Sequence, residues 1–408
     1  MTRRGFLATA VVCLVPRERV SRKVFLRSPG RGTAVFAGAY YTQASGGAMV
    51  SVEGRGSRSD ITDVVYYRYS KDYGHTWGAP TEKKTGEKRP EGMWRRDQGP
   101  CYVDPKTGRY IEFWNEGILP SDDPLEGLRQ WNIYYSLEGS VHQVIQQGEE
   151  FDARHPLPGV YTGKTCVMLG DVTCVPITLK DGSILLPAQI TLLGPDGKLY
   201  NPTGGYTYTA ALVLHGRWRG RGLEWRVAEP VKGDPKKSTR GMCEPTIETL
   251  ADGRLIMVMR GSNDSKPFLP GYRWISYSSD GGWHWTAPKP WTYTNGDPFY
   301  SPSSCSQLLR HSRGKLYWLG NISLTNPRGN SPRYPFYLGE VDQNTGLLIR
   351  DSLILVDERQ PGEDEILTLS NFYTREDRQT QQIALHMTRL FAFQDGWVGD
   401  ALLYRIEG

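Results

Sequence analysis

The 408-residue sequence has no run of about eighteen apolar residues, which excludes a membrane-spanning helix. It has no Cys-x-x-Cys and no His-x-x-x-His pair, so no metal site is announced, and no cofactor is implied. No basic run suits a nucleic acid. The net charge of +5 is small for this length and permits an anionic ligand without demanding one. Long helical periodicity is scarce.

Turn formers and aromatics are plentiful instead: 46 Gly, 27 Pro, 23 Tyr and 12 Trp. Such usage suits many short strands joined by turns, with large rings packed between layers. The six cysteines allow disulfides on number alone. Cys101, Cys174, Cys243 and Cys305, however, recur at comparable places, which reads as small buried residues on inner strands.

A unit recurs along the chain: a turn with Gly, then an apolar strand. It appears in "SGGAMVSVE" (Gly47), "KTGRYIEFW" (Gly108), "KDGSILLPA" (Gly182), "ADGRLIMVM" (Gly253) and "SRGKLYWLG" (Gly314). A glycine-free copy, "RQTQQIALHM", follows near Thr380. Asp-Gly between apolar runs is a hairpin signal, because both turn residues tolerate positive φ. An inner strand precedes each hairpin, as in "RRDQGPCYVD", "GMCEPTIETL" and "TLSNFYTRE". Six all-β units of this length predict a six-bladed β-propeller. "WVGDALLYRIEG" or "SRKVFLRS" is expected to complete the blade that closes the ring.

A second repeat is "YSKDYGHTW" (Tyr69–Trp77) and "YSSDGGWHW" (Tyr277–Trp285). Both fit Ser-x-Asp-x-Gly-x-x-Trp after an apolar strand, which predicts a hairpin between outer strands. The Asp accepts backbone N–H groups, the Gly takes unusual dihedrals and the Trp folds back on the sheet. "YYSLEGSVH" (Tyr134–His142) reads as a degenerate copy. The motif is structural and carries no chemistry.

These octapeptides and the six-fold repeat resemble the sialidase (neuraminidase) superfamily, whose turn is called the Asp box. The resemblance covers the chain after about residue 25. It implies an active site at the centre of one propeller face, three arginines on a substrate carboxylate, an acid/base Asp, and a Tyr nucleophile activated by a Glu. Residue by residue, Arg31 in "RGTAVF" resembles the first arginine, although the family's Ile-Pro is missing. Asp60 in "SVEGRGSRSD" resembles the acid/base Asp, with Asp63 as the alternative. Glu244 and Arg260 in "CEPTIETLADGRLIMVMR" resemble the glutamate and second arginine. Arg333 fits the third better than Arg328, because an apolar strand follows it directly. The sixth inner strand departs from the family: Leu369 or Asn371 stands near the expected Tyr, and Tyr373 lies two or more residues deeper.

The residues' own chemistry points the same way. Arginine pairs bidentately with carboxylates, though each of these arginines also reads as one half of an ordinary ion pair. Asp60 and Glu244 are a pair of carboxyl groups for glycosidic acid and base roles. Arg96, with Arg95 and Asp97, and Asn115 with Glu116 stand at strand ends where they could line a sugar site or pair at a blade edge. The loop with His155, Tyr161 and Lys164 would suit β-elimination on a uronic acid.

The expected domain plan is a twin-arginine-like export signal over residues 1–22, from Thr2-Arg3-Arg4-Gly5-Phe6-Leu7, and a sialidase-like propeller over 23–408. The expected protein is a periplasmic or secreted monomer. Its expected function is exo-glycoside hydrolysis releasing a terminal acidic sugar from an acidic glycan. Asp60, Glu244 and Tyr373 are the catalytic candidates. Arg31, Arg260, Arg333, Arg96 and Asn371 are the substrate-binding ones. The alternatives are a lyase or a uronic-acid or deoxysugar glycosidase on the same scaffold, and a non-catalytic glycan-binding propeller.

Overall fold

The computed structural model describes residues 19–144, 165–393 and 396–408. Most of the expected leader, and the loop with His155, Tyr161 and Lys164, lie outside the described residues. Among the described residues the helices are short: Gly127–Gln130 is α-helical, and Pro124–Glu126 and Arg350–Ser352 are 3-10 turns. None is long and apolar enough to cross a membrane.

The fold is all-β and propeller-like. Its strands form one eight-stranded sheet, two sheets of five and two of four. Four sheets thus stand as separate blades, and the expected six separate blades do not form. The reason is hydrogen bonding between the chain ends. Thr33 and Ala34 of the first repeat pair in parallel with Val398 and Gly399 of the last, which fuses both repeats into the eight-stranded sheet. Val20–Leu26 then adds antiparallel to Val398–Ile406, so both segments considered for closure take part in it.

Hydrophobic clusters lie between successive sheets. One joins Phe113 and Tyr135 to Ile184 and Leu212; another joins Ile256 and Ile275 to Trp318; a third joins Tyr317 and Phe336 to Phe372 and Tyr404. Trp291 and Trp318 are fully buried in this way. Burying such side chains stabilises the fold by about 1.5–3 kcal/mol or more each, so every sheet depends on its neighbours. The inner strands contact one another in sequence: Thr33–Tyr41 meets Gly92–Val103 and Thr368–Glu376, and Cys243–Thr249 meets Gln307–Arg310. The first strands of the repeats therefore surround a common axis.

Both octapeptides close hairpins between outer strands, Val64–Ser70 with Thr81–Lys83 and Arg273–Ser278 with Lys289–Pro290. In the second, Gly282 and His284 donate backbone N–H bonds to Ser278 Oγ (2.9 Å) and Asp280 Oδ1 (3.1 Å). Gly282 is at φ 93°, and a side chain there would meet Leu255 and Leu185 at 3.2 and 3.3 Å. Trp285 packs half-buried on the cluster holding Leu185 and Leu255, and its indole N–H donates to Gly282 O at 3.0 Å. The degenerate copy is a two-residue hairpin with both turn residues, Glu138 and Gly139, at positive φ. Cys101, Cys166, Cys174, Cys243 and Cys305 are buried free thiols.

Candidate active site

The starts of the inner strands carry the chemistry, because bulges there turn side chains out of the ladder. Strand Cys243–Thr249 bulges between Cys243 and Thr246 and holds Glu244 at φ 46°. Strand Thr368–Glu376 bulges between Ser370 and Phe372 and holds Asn371 at φ 53°. Asp60 stands at φ 58° in its loop. Left-handed backbone in non-glycine residues is uncommon and costs about 1–3 kcal/mol, so surrounding structure must hold it. Two of these three residues occupy equivalent places in their repeats.

Glu244 is only 9% exposed. Its backbone N–H donates to Gln189 Oε1 at 2.9 Å, and its Oε1 takes Nη1 of Arg260 in an ion pair. Its Oε2 is buried and has no hydrogen-bond partner among the described residues. Arg260 ends strand Leu255–Arg260, directly opposite Cys243. Arg260 Nε donates to Ser303 Oγ at 2.7 Å and Nη2 to Asn330 Oδ1 at 3.1 Å. Burial works against its charge, but its neighbours together, the Glu244 carboxylate foremost, more than offset this and raise its pKa.

A second carboxyl group, absent from the sequence-based candidates, lies beside Glu244. Gly170 packs so closely that a Cβ there would sit 2.8 Å from Glu244 Cγ and 2.6 Å from Gln189 Oε1. Asp171 follows it. Burial, and then the charge of Glu244, push the Asp171 carboxyl up to about 7. Asn115 fixes this segment: its Nδ2 donates to Leu169 O at 3.0 Å, and Leu169 N–H donates to its Oδ1 at 2.8 Å. Asp97 is a third: burial pushes it up to about 6, although Thr62 Oγ1 donates to it at 3.0 Å. Asp60, nearer the surface, accepts from Tyr206 Oη at 3.2 Å, and its charge adds to the rise at Asp97. Asp63 instead closes its own loop by accepting from Ser57 N–H at 2.6 Å.

The cationic side of the site differs from expectation in one member. Arg333 donates through Nε and Nη2 to Ser303 O at 3.3 and 3.0 Å. Burial and the neighbouring Arg260 push it down to about 10. Arg240, four residues before Glu244, is the third guanidinium. It donates to Thr207 Oγ1 at 2.9 Å and lies 5.2 Å from the Tyr206 ring centroid. Burial and Arg260 lower its pKa too. Arg31 lies exposed in the turn before Thr33–Tyr41, and among the described residues no hydrogen bond or ion pair joins it to this cluster.

Two other candidates are placed elsewhere. Arg96 pairs with Glu112 within its own blade and lies 3.8 Å over Trp114. Tyr373 is buried against Tyr40, ring centroids 4.1 Å apart, and burial raises its pKa far above the usual phenol range. It lines a cavity of about 570 Å³ with Glu248, Gln307 and Arg310. Glu248 and Arg310 stand at the far ends of their inner strands, whereas Glu244 stands at a start. The register explains the displacement: Asn371, not Tyr373, takes the bulge position, and it is exposed there.

Fold and site together define a propeller-type β protein with a charged site at the inner-strand starts. Residues 46–371 match the BNR repeat-like domain family, and the chain belongs to that family. No curated protein matches the sequence. Among solved structures it is similar to a protein of unknown function from Dyadobacter fermentans (13% identity, 96% of this chain and 100% of that one, TM-score 0.61). It is also similar to the Hadza microbial sialidase Hz136 (14%, 92% and 66%, TM-score 0.55). A third is an α-L-arabinofuranosidase from Fusarium graminearum, solved as a mutant with an iminosugar inhibitor (14%, 93% and 94%, TM-score 0.54). At such identities the likeness is one of fold.

Proposed function

We propose that the protein is an exo-acting glycoside hydrolase that releases a terminal acidic sugar. The carrying observation is the pair of half-buried guanidiniums, Arg240 and Arg333, beside the buried Arg260. Their described donor bonds go to a hydroxyl and to a backbone carbonyl, and among the described residues neither has a carboxylate in an ion pair. Crowded, partly desolvated charge without an ion-pair partner is costly, and a substrate carboxylate would supply one. A neutral pentose, such as the fungal neighbour's name implies, would leave that charge uncompensated.

Asp171, protonated up to about pH 7, is suited to donate to the leaving oxygen. Glu244, with Oε2 free, is suited to act as base or nucleophile at the anomeric centre. Asp60 at the mouth is the alternative donor, and Asn371 is placed to contact the sugar. Tyr373 has no part in this scheme. The export signal would deliver the enzyme to glycans outside the cytoplasm.

The test is incubation with sialyl, glucuronyl and arabinofuranosyl oligosaccharides, followed by mass spectrometry of the products. Free acidic monosaccharide from the wild type, reduced at least about a hundredfold in Glu244→Gln, is the expected outcome. Release of arabinose alone, an unsaturated uronate, or binding without turnover would each defeat the proposal.

A further inference from the structure

We infer that Ser303 is a positioning residue that sets the spacing of Arg260 and Arg333, and that Arg273 locks it from behind; this rests on the anion-binding reading of the site. Among the described residues, Ser303 is the one to which both guanidiniums bond. Its hydroxyl accepts from Arg260 Nε at 2.7 Å and its carbonyl accepts from Arg333 Nη2 at 3.0 Å. The two groups are separated only by the covalent frame of one residue, so the forks are held at a fixed separation. Two guanidiniums so close repel each other, and flexible side chains would swing apart without such a tie.

The tie is itself fixed. Ser303 N–H donates to Gly329 O at 2.8 Å. Arg273, 1% exposed, pairs across the sheet with Arg260. It donates through Nη1 to Ser304 O at 2.7 Å and through Nη2 to Ser301 Oγ at 3.0 Å. Those two residues flank Ser303 closely in the chain. A fully buried arginine that spends its donors on a serine loop is poor economy for stability alone, since apolar residues fill such space without desolvating a charge. The arrangement makes sense as a rigid support that keeps two fixed positive forks ready for one anion before it arrives.

The experiment follows the Nε–Hε signals of Arg260 and Arg333 by nitrogen-15 NMR in the full chain. Binding of N-acetylneuraminic acid, glucuronic acid and arabinose is measured by calorimetry. Ser303→Ala should shift the Arg260 signal in the free protein, weaken the acidic sugar about tenfold and leave arabinose unchanged. Arg273→Lys should shift both arginine signals together. An unmoved Arg260 signal in Ser303→Ala would overturn the clamp, whatever the sugars do. A wild type that prefers neither acidic sugar over arabinose would instead overturn the anion reading, and with it the clamp's role in specificity. If Arg273→Lys does not fold, Ser303→Ala decides the matter alone.

Discussion

At the scale of single residues, the site is a contest between charges of one sign crowded on each side. Asp171 illustrates how burial and a neighbouring carboxylate settle such a contest by keeping a proton. Its carboxyl holds that proton up to about pH 7, against about 3.9 for an ordinary Asp. The folded protein therefore binds more protons than the unfolded chain between about pH 4 and 7, and stability from this group falls as pH rises through that window. On the proposed hydrolase reading, activity follows the same proton. Turnover should decline above about pH 7 as Asp171 loses its acid function. Asp171→Asn should remove that alkaline limb, reduce kcat by at least about a hundredfold and increase thermal stability at pH 8 relative to the wild type. Rate profiles and melting curves from pH 5 to 9 measure both. An alkaline limb that survives in Asp171→Asn would assign the proton to another group, with Asp97 the next to replace.

At the scale of elements, the repeating hairpin is the part of the fold most legible in the sequence. Ser-x-Asp-x-Gly-x-x-Trp encodes its own hydrogen bonds, so the octapeptides specify their turns almost without help from the rest of the chain. Trp285→Ala should cost about 2–3 kcal/mol, below the value for a fully buried Trp because the ring is only half covered. Glycan turnover at a temperature where the variant is folded should stay near wild type. A normal melt with lost turnover would move Trp285 into the site. Strand bulges are less legible. Glu244 and Arg260 could be paired from sequence because one hairpin links them. Asp171 could not, since it belongs to a segment with little regular structure, and its partner is seventy-three residues on. Arg240 belongs to no repeated motif, so only the folded chain brings it beside Arg260. Tyr373 lies two residues beyond the bulge residue Asn371, and in a strand that distance separates the mouth of the site from the interior.

At the scale of the whole molecule, the ring must be held shut, and Asp357 is where the closure is tied. It ends the strand Ile354–Asp357 of the last separate blade and reaches across to the eight-stranded sheet. Its oxygens accept from Arg22 Nη1 at 2.7 Å, from Arg389 Nη1 and from Tyr404 Oη. Arg22 lies on the N-terminal strand, while Arg389 and Tyr404 lie on the two C-terminal ones. The contributions are unequal. Arg22 is 44% exposed, so its pair is screened and contributes little. Arg389 is 10% exposed, and removing its partner leaves a buried charge. Glu363 also pairs with Arg389, which softens the loss. Asp357→Ala should therefore cost about 3 kcal/mol, at the low end for a broken buried pair. Arg22→Ala should cost less than about 1 kcal/mol. Asp357→Leu combined with Arg389→Met and Glu363→Gln should recover part of the loss, because it removes all three buried charges together. Denaturant unfolding of the four proteins, with limited proteolysis near Val20–Leu26, tests the ordering. If Arg22→Ala proved as damaging as Asp357→Ala, the closure would depend on the N-terminal strand itself and not on the buried pair behind it.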